Sequence, residues 1–231
     1  MKILVIGDSI GLPHFHRTRD EVEIAYECVY PEQLRRLLQK RFPDEDILLL
    51  NQCRHANTSH ALVSGAANEL LFVEPDVLVL QLGMADLWPS EGRTVPAPVP
   101  EMEGRDPWIP AEAFRQNLSR FLAFCDRFDA LTVQLVNIPK VSDEQYSRHP
   151  AALERTKDYN LILQELACRP NTSLVDAFGL FETLGSAAYC SDGIHPTRRA
   201  SQLLAEVILE QIAEVDHGVL QSNLISKRGS L

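Results

Sequence analysis

A serine hydroxyl becomes a nucleophile when a base takes its proton and a third group orients that base. The chain offers residues of these types at two distant places. Near its start, Gly7-Asp8-Ser9-Ile10 follows the apolar run Ile3-Leu4-Val5-Ile6. Far along the chain stands Ser191-Asp192-Gly193-Ile194-His195-Pro196-Thr197. A serine directly after a buried strand can present its hydroxyl at the sheet edge, and Gly7 permits the tight turn beneath it. Asp192 and His195, three residues apart in one turn, could set a carboxylate behind an imidazole. Each segment also has an ordinary reading: Gly-Asp-Ser is a common turn, and Asp192 could serve a helix-entry turn with His195 exposed. Their joint occurrence at two strand-end loops is harder to dismiss than either segment alone.

Those loops need elements to position them. Short apolar runs at 2–6, 47–50, 76–82, 131–136 and 172–175 read as strands, nearly continuous in apolar residues as expected for a parallel sheet covered on both faces. Amphipathic stretches starting near Pro31 (Leu34, Leu37 and Leu38 on one face) and over 59–73, 111–127, 151–167 and 197–213 read as helices. The alternation predicts a three-layer α/β/α fold. Functional groups in such sheets gather beyond the carboxyl ends of the strands, here 7–16, 51–58, 83–89, 137–149 and 177–196. Pro89, Pro96, Pro98, Pro100, Pro107 and Pro110 mark 89–110 as a Pro-rich insertion, read as a surface loop inside one catalytic domain over 1–213. The tail 214–231 shows no clear periodicity, which fits either disorder or association.

With these segments in order, the chain resembles the SGNH/GDSL hydrolase (esterase/lipase) family. The resemblance rests on Gly7-Asp8-Ser9-Ile10 and Asp192-Gly193-Ile194-His195-Pro196. Partial matches lie between them at Asn51…Ala56-Asn57-Thr58 and Gly83-Met84-Ala85-Asp86. It covers about residues 1–213. It implies a flavodoxin-like, five-stranded, mainly parallel sheet, a Ser-His-Asp triad, and no metal or organic cofactor. Ser9 would be the nucleophile, His195 the base and then acid, and Asp192 its orienter. The middle segments depart from the family pattern. Ala56 stands where members usually have a glycine whose N–H meets the oxyanion, and Ala85 where they usually have an asparagine donor. Loss of one such donor costs about 10²–10³ in rate. The hole is then built from the N–H groups of Ser9 and Ala56, or completed by a relocated donor (Asn57 or Arg54), or catalysis is weak.

Other polar residues carry less. His14-Phe15-His16 lacks a neighbouring ligand pattern for a metal, and its position just after Ser9 suggests a loop near the pocket, read first as surface and second as a substrate contact. His55 and His60 are expected to be exposed, and Asp86 to make a structural hydrogen bond or cap. Trp88 and Trp108, flanking the insertion, read first as packing and second as a lining for a sugar or acyl group.

Composition limits the partners. The 231 residues carry 22 basic and 32 acidic side chains, a formal net charge of −10, which argues against nucleic-acid binding. No apolar run approaches the roughly 20 residues that span a bilayer. Five scattered cysteines (Cys28, Cys53, Cys125, Cys168, Cys190) without a C-x-x-C pair fit reduced thiols rather than disulfides or zinc. Together with an N-terminus that runs straight into a strand, they suggest a cytoplasmic protein. The expected function is a serine esterase acting on a small-molecule or carbohydrate ester. The alternatives are an O-acyltransferase on the same residues, or a catalytically weak binding protein with Ala85 as its cause. A nucleotide-binding flavodoxin-like domain is disfavoured, because no glycine-rich loop follows the first strand and Asp8 would repel phosphate there.

Overall fold

The computed structural model describes residues 1–16, 19, 21–87 and 109–228. Strand β1 (Lys2–Gly7), buried from Ile3 onward, gives way to a single 3-10 turn over Ser9–Gly11. A small antiparallel hairpin of β2 (His14–Phe15) and β3 (Val22–Ile24) comes next, pairing His14 with Ile24 and Phe15 with Val22. The chain then alternates: α1 (Tyr30–Arg41), β4 (Leu48–Asn51), α2 (Ser59–Val73), β5 (Val77–Gln81) and the one-turn α3 (Met84–Leu87). It continues through α4 (Ala111–Cys125), β6 (Thr132–Val136), α5 (Asp143–Arg148), α6 (Pro150–Leu166), β7 (Thr172–Val175), α7 (Ala177–Leu184) and α8 (Arg198–Arg228).

The main sheet has the order β4-β1-β5-β6-β7, and every pairing is parallel. The expected three-layer α/β fold with a five-stranded parallel sheet is therefore what the chain adopts. Helices α1 and α8 pack together, as do α2, α4 and α6. β1 and β5 lie between them with Ile3, Leu4, Val5, Leu78 and Val79 essentially inaccessible to water. The chain reverses its direction of strand addition at β1 and β5, and open α/β sheets form their crevice at that switch point. Ser9 leaves one side of it and Gly83 the other.

Local signals explain the boundaries. α1 carries Pro31 in its first turn and Lys40 and Arg41 in its last, and it buries Leu34 and Leu38. α2 is capped by Thr58, whose Oγ1 accepts the Ala61 N–H at 3.3 Å. The sequence reading omitted the hairpin, α3, α5 and α7, all too short to show a period of their own. It also ended the last helix at 213, whereas α8 runs to Arg228 with no proline in 214–228 to stop it. Most of the Pro-rich segment 89–110, with Trp88 and Trp108, lies outside the described residues. Among the described residues, no helix is long and apolar enough to cross a membrane.

Candidate active site

The turn after β1 is tied down by Asp8. Its carboxylate is fully buried, accepting the Ile10 N–H at 3.1 Å through Oδ1 and the Met84 N–H at 3.1 Å through Oδ2. One side chain thus joins the ends of β1 and β5. Burial pushes the Asp8 carboxyl up to about 6, against the donors that hold it. In the 3-10 turn, Asp8 takes the Ile10 and Gly11 N–H groups and the Ser9 carbonyl takes that of Leu12. The Ser9 N–H has no acceptor among the described residues.

Gly83 makes the other side of the crevice possible. Its φ is +122°, and an added Cβ would sit 2.7 Å from Ile138 Cγ1. Gly83→Ala is expected to cost about 2–4 kcal/mol, from backbone strain and overpacking together. Urea unfolding would measure it, and a midpoint unchanged from wild type would count against this assignment. Beyond Gly83, Asp86 is buried and receives the Ser59 N–H at 2.9 and 3.0 Å and the Ser59 hydroxyl at 2.6 Å. Burial raises its carboxyl to about 7. Its role is the structural hydrogen bond expected of it, holding the start of α2 against α3.

The histidine arrives on a loop after α7 that is closed on itself. Tyr189 and Pro196 form a β-bridge, the Cys190 N–H donates to the His195 carbonyl at 2.8 Å, and the Gly193 N–H donates to the Cys190 carbonyl at 3.0 Å. Gly193 has φ +72°, and its carbonyl accepts the Ser142 N–H at 2.8 Å. Gln145 Nε2 holds the Asp192 carbonyl at 2.6 Å. The loop is thereby fixed to the start of α5.

Within it, the two oxygens of Asp192 divide their partners. Oδ1 accepts the backbone N–H groups of Ile194 (2.9 Å) and His195 (3.0 Å). Oδ2 lies 2.5 Å from His195 Nδ1, and His195 Nε2 lies 3.0 Å from Ser9 Oγ. Ser9, His195 and Asp192, separate in sequence, form one hydrogen-bonded run at the carboxyl end of β1. Burial would raise the Asp192 carboxyl, but the His195 hydrogen bond and charge and the two N–H groups outweigh it. The group is held well below the usual carboxylate range.

The candidate oxyanion donors are distributed as follows. Ala56 is exposed with φ +52°, the left-handed conformation for which glycine is the usual residue. Its N–H has no acceptor among the described residues. Asn57 Nδ2 donates to the Gly7 carbonyl at 3.0 Å, which leaves its second N–H uncommitted. Arg54 is exposed, and its guanidinium is paired with Glu69. Ala85 lies in the first turn of α3 and supplies no side-chain donor. His55 and His60 are exposed, as expected.

The loop of His14 lies near the pocket as expected, but the preferred surface role does not fit, because the side chain is largely buried against His195. Its ring stacks on that of His195, with centroids 4.0 Å apart and planes 14° from parallel. Its Nε2 is 3.3 Å from Asp192 Oδ2 and 3.4 Å from Glu23 Oε2. Closeness to Ser9 in the chain was its only sequence signal, and Glu23 had none. Among the described residues, His14, Asp192 and His195 are also the one grouping with donor atoms close enough for a metal, within 4.8 Å of one another. The 2.5 Å between His195 Nδ1 and Asp192 Oδ2 is a hydrogen-bond distance. Neighbouring ligands on a tetrahedral zinc would stand about 3.3 Å apart.

A model of the GDSL-like lipase/acylhydrolase family matches residues 5–203. The comparison with curated protein sequences found no match. Among solved structures, the fold is similar to a catalytic mutant of Axe2, an acetylxylan esterase from Geobacillus stearothermophilus. That likeness has a TM-score of 0.70 and 21% identity, covering 91% of this chain and 93% of that one. It is also similar to LAE5, an alpha/beta hydrolase enzyme from the metagenome of Lake Arreo, Spain (TM-score 0.69, 23% identity, 90% and 93% covered). A third is the lipase/acylhydrolase from Enterococcus faecalis (TM-score 0.69, 20% identity, 91% and 94% covered).

Proposed function

We propose, from the premise that this chain belongs to the GDSL-like lipase/acylhydrolase family and hydrolyses esters, that Ser9 is its nucleophile, His195 its general base and acid, and Asp192 the orienter. The single observation that carries this reading is the run from Ser9 Oγ to His195 Nε2 at 3.0 Å and from His195 Nδ1 to Asp192 Oδ2 at 2.5 Å. Ser9 Oγ attacks the ester carbonyl carbon while His195 Nε2 takes its proton. Asp192 stabilises the imidazolium that results. Collapse of the tetrahedral intermediate expels the alcohol, which receives the proton from His195, and leaves an acyl-Ser9. A water activated by His195 then releases the acid and restores the serine.

The oxyanion of both intermediates is met by the N–H groups of Ser9 and Ala56, with the second Nδ2 proton of Asn57 as the third donor. No acceptor in the described chain competes for the first two. Asn57→Ala is therefore expected to lower kcat about 10- to 100-fold, whereas Arg54→Ala, which breaks only an exposed ion pair, should change it less than about threefold. Equal and negligible effects in both variants would leave the hole to the backbone alone.

The substrate we infer is a small acyl or acetyl ester, acetylated sugars included. The acetylxylan esterase among the structural neighbours supports the carbohydrate side of that class. Five free cysteines support a reducing, cytoplasmic setting. The reading is tested by incubating the protein with a fluorophosphonate and mapping the adduct by peptide mass. Short-chain p-nitrophenyl esters and acetylated xylo-oligosaccharides are assayed alongside. An adduct on Ser9 with turnover of either substrate is the expected result. An unmodified Ser9 without turnover would favour the weak-binding alternative that Ala85 suggests.

A further inference from the structure

We propose that His14, backed by Glu23, is a positioning residue for His195, holding its ring plane by stacking and sharing the oxygen of Asp192 that receives it. This rests on the assignment of His195 as the base. The observations are geometric. The His14 and His195 rings are stacked 4.0 Å apart and 14° from parallel, and His14 Nε2 lies 3.3 Å from Asp192 Oδ2, the oxygen that also receives His195 Nδ1. Glu23, on the strand paired with that of His14, sits with Oε2 3.4 Å from the same Nε2. Its Oε1 accepts the Ser191 N–H at 3.0 Å, which ties the hairpin to the loop that carries Asp192. The hydrogen-bonded run ends at Asp192, and His14 and Glu23 lie beyond it in contact at 3.3 and 3.4 Å without a hydrogen bond. His14, Asp192 and His195 each keep less than a fifth of their side-chain surface exposed.

His14 performs this role as a neutral ring. Burial lowers its pKa, and the charge of His195 lowers it further, with a smaller push from His55; Asp192 and Glu23 act in the opposite sense. His195, whose protonation sets the acid limb, is also faced by the buried Asp8, whose carboxyl feels its charge. Two imidazoles in stacking contact disfavour carrying charge together, so the positive charge that develops during attack falls on His195. His14 Nε2 and Glu23 Oε2 are buried without a hydrogen-bond partner, so a proton on Nε2 acts on the two carboxylates through charge, at 3.3 Å from Asp192 and 3.4 Å from Glu23. Its partial positive charge offsets part of the negative charge of Asp192 that faces His195 Nδ1, and Glu23 offsets it from the other side.

Two variants separate this from simple packing. His14→Phe keeps a flat ring against His195 and removes Nε2 and its proton. Asp192 then acts on His195 alone, the base becomes stronger, and the acid limb of the pH profile moves up by about half a pH unit. Glu23→Gln removes the competing carboxylate, so the acid limb moves down. The quantity to measure is the second-order rate of fluorophosphonate labelling at Ser9 from pH 4 to 9, which needs no knowledge of the natural substrate. On the plateau, His14→Phe should stay within about threefold of wild type because the stacked ring is kept, whereas His14→Ala, which removes the stack, should be about five- to tenfold slower. His14→Gln, whose amide can reach the Nε2 position, should return the limb toward wild type. A packing role would slow labelling without moving either limb, and limbs that coincide in wild type, His14→Phe and Glu23→Gln overturn the proposal. If wild-type Ser9 is not labelled at all, the assignment of the nucleophile fails first and this inference fails with it. If His14→Phe does not fold, the sign of the Glu23→Gln shift decides alone.

Discussion

Ser9→Ala is expected to lose about 10⁴-fold or more in kcat on short-chain p-nitrophenyl esters while its fold and stability are kept. The size follows from the chemistry assigned to the residue. Without Oγ there is no covalent intermediate, and only binding and the oxyanion donors are left to accelerate attack by water. Stability should be almost untouched. The Ser9 side chain is half-buried and its hydroxyl makes one hydrogen bond, to His195. The backbone turn is held by Asp8 through the Ile10 and Met84 N–H groups, which the substitution leaves in place. Steady-state kinetics and a urea titration on the same preparation provide the check. A variant with more than a hundredth of wild-type kcat, correctly folded, would remove Ser9 from the role of nucleophile.

Asp192→Asn is expected to lower kcat by about 10⁴-fold, through the histidine rather than through the fold. The backbone N–H groups of Ile194 and His195 both donate to Oδ1. In the variant they require the amide oxygen at that position. The amide nitrogen is then forced to the Oδ2 side, where it faces His195 Nδ1. Nδ1 must become an acceptor, the ring proton moves to Nε2, and the nitrogen facing Ser9 Oγ at 3.0 Å can no longer accept a proton. Because the Asp192 carboxyl is held below its unfolded value, the stability it contributes is complete above about pH 4 and is lost as pH falls further. The variant should therefore also unfold with a weaker pH dependence on that acid side. Proton NMR of the ring N–H, together with kcat, distinguishes a changed tautomer from a collapsed loop. Wild-type kcat in Asp192→Asn would exclude Asp192 as the orienter.

Some elements of the three layers were legible without coordinates. α2 over Ser59–Val73 and β7 over Thr172–Val175 have the limits that periodicity suggests. A buried strand or an amphipathic helix imprints its environment on many successive residues, and the pattern survives in one dimension. The hairpin of β2 and β3 left no such imprint. It is two and three residues long, and its partner relations run to the loop at 189–196 rather than along the chain. The packing of His14 on His195 is consequently invisible in a sequence that suggests only a loop near the pocket. Its neighbours Asp192 and His195 lie far away in sequence, and no local pattern reports a contact of that range.

The types of the reacting groups are a property of the sequence alone. A serine after the first buried strand, and an aspartate three residues before a histidine ahead of the last helix, name the groups proposed to react, because composition fixes which protons and lone pairs are present. The same text shows that Ala85 brings no donor. Tertiary structure decided everything that depends on distance and desolvation. It set Arg54 on Glu69 and Asn57 on the Gly7 carbonyl. It buried Asp8 as the clasp between β1 and β5, and it stacked a second imidazole on the first. Those outcomes arise from the strand order β4-β1-β5-β6-β7, which opens a crevice between β1 and β5. They depend equally on a loop closed by the Tyr189–Pro196 bridge, which brings His195, ahead of α8, back to Ser9 after the first strand.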